Sequence, residues 1–253
     1  MSITRKKFIA SLGEVWCDEA PDKNLDVDVL YYHQWSYPIQ GLQCKEFYTI
    51  FIDLTQEQDK LWKNIEKNTR KQIRRAEEKD RFVFEYWDKS NFELLQEFFN
   101  FYDEFALNKG IPKVNRPRLR GLMNAGGLDL SRINSIDGTP LVWHACYRSK
   151  TLVEVLHSAS MFRTSTNNEH RHMLGRANRY LYWQNILRFK RLNFSILDLG
   201  GWYGGKENQE KLRINQFKEG FGGEVVKVFS CSQGVTVMGK FYLQLRNLLI
   251  KSN

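Results

Sequence analysis

Residues 128–161 read LDLSRINSIDGTPLVWHACYRSKTLVEVLHSASM. Three runs rich in β-branched and aromatic residues, Leu128 to Ile136, Leu141 to Arg148 and Leu152 to Met161, are separated by Asp137-Gly138 and Ser149-Lys150. Both dipeptides suit tight reversals, so the stretch predicts an antiparallel three-stranded meander. Leu174 to Lys190 then has the helical period, and Phe194 to Leu199 reads as a buried strand ending at Gly200-Gly201. Upstream, Asn91 to Lys109 and Arg116 to Asn124 read as helices, the first of them stopped by Gly110-Ile-Pro. Downstream come a short helix around Arg213 to Lys218, a strand from Glu224 to Phe229 and a helix from Val235 to Lys251. The order predicts an α/β (α+β) fold, a mixed and mostly antiparallel sheet flanked by helices.

The first 89 residues are expected to form a smaller appended subdomain, with the main domain at 90–253. Phe47 to Leu54 reads as a strand, and Leu61 to Lys79 as one helix with an apolar stripe of Leu61, Ile65, Ile73 and Ala76. Its basic run from Arg70 to Arg75 reads as a solvated face.

The chain has 253 residues, 42% of them hydrophobic, which is enough for a sizeable core. No apolar run has the length of a membrane span, and the start shows no convincing cleavage site, so a cytoplasmic location is expected. Cys17, Cys44, Cys146 and Cys231 have no metal-ligand spacing, which predicts reduced structural thiols and no metal. The formal charge of +9 suits phosphate-bearing partners better than bulk nucleic acid, since no RNA-binding signature or long basic tail accompanies it.

Arg171-His172-Met-Leu-Gly175-Arg176-Ala177 follows the third meander strand. It resembles the pyrophosphate-binding pattern of the GNAT acyltransferase superfamily, with His at the first position where that family has Gln or Arg. The resemblance implies acyl-CoA as cosubstrate, held by Asn168, Arg171, His172, Gly175, Arg176, Ala177 and Tyr182. Two further segments, Ile196-Leu-Asp198-Leu-Gly200-Gly201-Trp202 and Asn215-Gln-Phe217-Lys218-Glu-Gly220-Phe221-Gly222-Gly223, resemble the C-terminal signature of FemAB-like acyltransferases, which build peptidoglycan bridges from aminoacyl-tRNA. The basic helix with Asn68-Thr-Arg70-Lys-Gln-Ile-Arg74-Arg75 resembles that family as well.

These resemblances imply an N-acyltransferase working by direct attack. The first expectation is transfer from acyl-CoA to the amine of a nucleotide-linked amino sugar. The alternatives are FemAB-type aminoacyl transfer to a peptidoglycan precursor, which makes tRNA the one nucleic-acid partner expected, and a non-catalytic RNA-binding or scaffold module. A homodimer is compatible with each. No GxSxG elbow or Cys-His motif suggests a covalent intermediate.

Direct acyl transfer needs a base for the amine proton and a cation or donor for the oxyanion. His144 and His157, on adjacent strands and expected to be neighbours, are the first candidates for the base, with His157 ahead. Asp198 is the alternative. Lys218, the lysine of the FemAB-like signature, is the expected partner of developing negative charge. Trp202, Tyr203 and Asn208 are expected to line the acceptor pocket.

Overall fold

The computed structural model describes residues 3–7, 10–17, 19–21, 25–87, 89, 91–161 and 167–251. Its strands are β1 (Ile3–Lys7), β2 (Ala10–Trp16), β3 (Val29–Trp35), β4 (Gln43–Asp53), β5 (Val83–Trp87), β6 (Leu128–Asn134), β7 (Pro140–Arg148), β8 (Leu152–Ser160), β9 (Ile196–Trp202) and β10 (Glu224–Gly234). The helices are α1 (Gln58–Asn64), α2 (Lys67–Arg75, continued as a π-turn over Ala76–Asp80), α3 (Phe92–Lys109), α4 (Arg116–Asn124), α5 (Asn168–Arg191), α6 (Gln209–Glu219) and α7 (Val237–Lys251). The chain forms two compact units, residues 1–49 with 226–253, and residues 50–225. The expected boundary at 89/90 thus falls inside the larger unit.

In the smaller unit β1, β2, β3 and β10 are neighbours in that order, with only β2 and β3 parallel. Tyr242 and Leu243 of α7 pack on Ala10, Leu12, Val29 and Tyr31. Cys44 and Cys231 are joined as a disulfide, which corrects the expectation of four reduced thiols. The two cysteines lie 187 residues apart, so only the folded pairing brings them together.

In the larger unit the end of β4 is followed by β9, β8, β7, β6 and β5. The predicted meander is present, antiparallel from β5 to β8, while β8 and β9 run parallel. Helix α5 is the crossover between β8 and β9. Its Leu174, Ala177, Leu181 and Ile186 join Val153, Val155, Leu197 and Leu199 in one core. On the opposite face, Phe98 and Phe101 of α3 meet Trp143.

The helix predicted over 61–79 is broken. Ile65 is extended (ψ 136°), and Arg70 turns back to donate from Nη1 to the carbonyls of Lys63 and Ile65, both at 2.6 Å. These carbonyls end α1 without helical partners, so Arg70 serves as a cap and not as a solvated charge.

The glycines after α6 explain the signature in which they stand. Gly222 has φ +76°, and a Cβ there would overlap the Asn64 carbonyl; a Cβ on Gly223 would come within 2.8 Å of the Phe51 carbonyl oxygen. Phe221, immediately before them, is buried against Tyr182 and Phe217. Backbone therefore lies directly on backbone, an approach only glycine permits. Gly222→Ala is expected to cost about 2 kcal/mol through left-handed strain and overlap. Differential scanning calorimetry should show a Tm roughly 5 °C lower; an unchanged Tm would refute this packing.

Candidate functional site

Strand β8 lies inside the sheet of the larger unit, yet Glu154, Leu156, His157 and Ser158 are only half-buried. Its ladder with β7 pairs Ala145 with His157 and Cys146 with Val155, leaving Leu156 as an extra residue in a β-bulge. Cross-strand partners share a face, so the bulge sends Val155 and His157 to opposite faces. Tyr147, on the face of Ala145, pairs with Glu154, and Glu154 pairs in parallel register with Asp198. Glu154, His157 and Asp198 consequently share one face.

His144 pairs with Ser158 on the other face. Its ring lies 4.3 Å from that of Tyr182, and its Nδ1 accepts from Asn185 Nδ2 at 3.1 Å. The two histidines are therefore not neighbours, contrary to the sequence expectation. Burial drives the His144 pKa down to about 3, against a hydrogen bond from Asn178. His144 is a neutral, fully buried core residue that no substrate amine reaches. His157 stands 5.2 Å from the Tyr102 ring, and its pKa falls to about 4 through burial and the Arg118 charge.

Lys218 projects from the last turn of α6, and Nζ donates to the Gly201 carbonyl at 2.8 Å. Gly200, at φ +80°, lies beneath the ammonium; a Cβ there would stand 3.6 Å from Nζ and 3.2 Å from the Val155 carbonyl. Asp198 is fully buried and accepts from Gly200 N–H at 2.7 Å, which holds the turn. Burial pushes the Lys218 pKa down to about 8, while the carboxylates of Asp198 and Glu154 oppose the shift. A half-buried ammonium facing two carboxylates at a strand end can hold an oxyanion and can titrate near neutrality.

The loop beyond β9 is fixed by Asn215, the first residue of the FemAB-like signature, to which the sequence alone assigns no role. Buried Asn215 accepts from Tyr203 N–H at 2.9 Å and donates to the Tyr203 carbonyl at 2.7 Å. Trp202 donates from Nε1 to Glu219 at 2.6 Å, and Lys211 lies 4.9 Å over the Tyr203 ring. Asn208 is the N-cap of α6, accepting from Lys211 N–H at 3.0 Å. Its role here is to start a helix, whereas Trp202 and Tyr203 border the strand end where Lys218 sits. Glu154 was also missed; its signal was a carboxylate among Leu152, Val153, Val155 and Leu156.

The segment expected to cradle pyrophosphate takes another form. Helix α5 starts at Asn168, with Asn167 accepting from Glu169 N–H at 2.8 Å, so His172, Gly175, Arg176 and Ala177 are already helical. Their N–H groups point back into the helix and are not available to a phosphate. Arg176 is buried in a two-pronged ion pair with Asp80 (Nη2–Oδ1 2.9 Å), and Ala177 is core. Tyr182 is buried against His144, Phe217 and Phe221, and burial raises its pKa. Of the residues expected to bind the donor, Asn168 and His172 are exposed in the first turns and Arg171 is half-buried. Among the described residues no cluster of metal-ligating side chains occurs, and no helix is long and apolar enough to cross a membrane.

No family model and no curated protein matches the sequence. Among solved structures, FemX is similar with a TM-score of 0.66 at 12% identity, over 96% of this chain and 85% of FemX. This chain shares its fold with FemX. The C-terminal domain ascribed to a lysylphosphatidylglycerol synthetase from Agrobacterium fabrum is similar with a TM-score of 0.58 at 12% identity, over 98% of this chain and 85% of that one. L-PGS from Bacillus licheniformis gives 0.53 at 11% identity, over 87% and 72%. The mixed, mostly antiparallel sheet flanked by helices that was expected from the order of elements is therefore present.

Two outcomes separate structural from functional residues. Arg176→Ala leaves Asp80 without its partner and is expected to cost about 3 kcal/mol, read as a Tm lower by roughly 6–12 °C. A stable variant with weakened donor binding would restore Arg176 as a phosphate ligand. Lys218 behaves oppositely. With its folded pKa lowered, the folded chain binds fewer protons than the unfolded one between about pH 8 and the usual lysine range, so stability rises with pH there. The penalty of the charged form is in full force below pH 8. Lys218→Met is expected to keep or raise the Tm at pH 7, with any gain shrinking above pH 8; a large fall at pH 7 would show that Lys218 is structural.

Proposed function

We propose that the larger unit catalyses direct transfer of an acyl group from an activated ester to an amine. The observation that carries this reading is the Lys218 ammonium, held over Gly200 at the end of β9 with Asp198 and Glu154 close enough to act on its charge. The amine nitrogen attacks the donor carbonyl, and the carbonyl π-electrons move to oxygen. Lys218 stabilises the resulting oxyanion. The amine proton passes to Glu154 on the half-buried face of β8. When the tetrahedral centre collapses the ester C–O bond breaks, and the departing alkoxide takes the proton that Glu154 received, which returns Glu154 to its carboxylate form. His157, neutral throughout the working pH range, shapes the same face.

The donor favoured is an aminoacyl ester of tRNA, and the acceptor an amine of a peptidoglycan-type precursor. The segment that supported acyl-CoA is helical and carries a buried ion pair, which removes the argument for that donor. The likeness of fold to FemX across nearly the whole chain supports the FemAB-type reading.

The test is single-turnover transfer with aminoacyl-tRNA and an amine acceptor, run beside acyl-CoA with a nucleotide-linked amino sugar. Transfer from aminoacyl-tRNA is expected, reduced roughly a hundredfold or more in kcat by Lys218→Met. Transfer from acyl-CoA alone would overturn the donor assignment, and activity that survives Lys218→Met would overturn the mechanism. The ammonium form is present below pH 8, so kcat should fall as pH rises through about 8. Lys218→Arg should move that limb above pH 10. A rate that rises through pH 8 would make Lys218 a base instead.

A further inference from the structure

Helices α2, α5 and α6 line an open cavity of about 630 Å³. Small-molecule sites are commonly of this size, roughly 300–1,000 Å³. Its walls carry unused hydrogen-bonding capacity. Arg213 makes no side-chain hydrogen bond or ion pair among the described residues, and the amides of Asn68 and Gln216 make none either. Arg179 lies 4.8 Å over the Phe217 ring and donates from Nη1 to the Gly175 carbonyl at 3.1 Å, but its buried Nε has no partner. Burial lowers the Arg179 pKa, and Glu66 opposes that shift. Glu219, the other carboxylate of the wall, is taken by the Trp202 indole.

A desolvated guanidinium with an unmet donor calls for an acceptor, and a second, free guanidinium at the same cavity makes that acceptor an anion. Two uncommitted amides add the means to pair with a base edge, as Asn and Gln do with the N6 and N7 of adenine. Lys218 stands between two wall residues, Phe217 and Glu219. Its carbonyl partner Gly201 is followed by Trp202, which is bonded to the wall.

We propose that this cavity holds the phosphorylated adenosine of the acyl donor, with Arg179 and Arg213 on phosphate and Asn68 and Gln216 on the base. The inference rests on the acyl-transfer reading above. It relocates the donor phosphate from the start of α5, where the sequence pattern had suggested it. Both the 3′ end of a tRNA and coenzyme A carry this chemistry.

The test is titration calorimetry of the full chain with adenosine 3′,5′-bisphosphate and with the trinucleotide CCA, set against guanosine 3′,5′-bisphosphate and inorganic phosphate. Saturable binding of an adenosine probe is expected. Arg213→Ala, a change at an exposed position, should weaken it about tenfold, and the double variant Asn68→Ala, Gln216→Ala should erase the preference over the guanosine probe. Binding of CCA alone identifies tRNA as the source, and binding of the bisphosphate alone identifies coenzyme A; either supports the cavity. No saturable binding at millimolar concentrations, unchanged affinity in these variants, or equal binding of guanosine bisphosphate or phosphate overturns the proposal. Lys218→Met separates the two readings. If adenosine probes bind but no donor is consumed in a Lys218-dependent way, the transferase reading fails and the cavity stands. If transfer depends on Lys218 while cavity variants change neither KM nor binding, the cavity assignment alone fails.

Discussion

The contact on which the larger unit depends is backbone against backbone. Gly222 lies on the Asn64 carbonyl and Gly223 on the Phe51 carbonyl, with Phe221 filling the core between Tyr182 and Phe217. Gly220 completes the contact through its carbonyl, which accepts from Glu66 N–H at 2.9 Å. This seam sets the end of α6 against the turn between α1 and α2 and against β4. Because Lys218 and Glu219 are the last residues before it, the seam also decides where the ammonium stands and where the cavity wall runs. Residues that look like a catalytic signature thus divide into glycines that pack and one lysine whose ammonium is held at the Gly201 carbonyl.

Around that lysine the chain accepts an electrostatic cost. Removing the ammonium from water outweighs the pull of Asp198 and Glu154, and the pKa falls to about 8. A purely structural lysine gains nothing from such a position, whereas a group that must meet a nascent oxyanion needs a dry and fixed cation. The β-bulge at Leu156 contributes to the same end by turning His157 onto the face that Glu154 shares with Asp198.

Much of the larger unit was legible in the sequence because its signals are local. The meander is marked by its turn dipeptides, α3 by its period and Gly110, and β9 by its glycines. The positions of Asp198 near a strand end and of Lys218 at a helix end were legible from the motif that contains them. What remained hidden depends on distant partners. Arg176 looked like a phosphate ligand until Asp80, 96 residues away, proved to take both prongs. His144 and His157 looked adjacent because one inserted residue, which sequence alone does not reveal, reverses a strand's facing. Strands β1 to β3 were not read at all, since their ladder closes on β10 from the far end of the chain. The Cys44–Cys231 bond was missed for the same reason.

The central claim is that Lys218 carries a depressed pKa set by burial and moderated by two carboxylates. Its most direct test is NMR titration of the chain labelled at the lysine side chains, with Lys218 assigned through Lys218→Arg. The account expects one lysine with a midpoint near pH 8, shifted lower in Asp198→Asn, where the supporting charge is removed. A Lys218 midpoint in the ordinary lysine range, unmoved by Asp198→Asn, would contradict it.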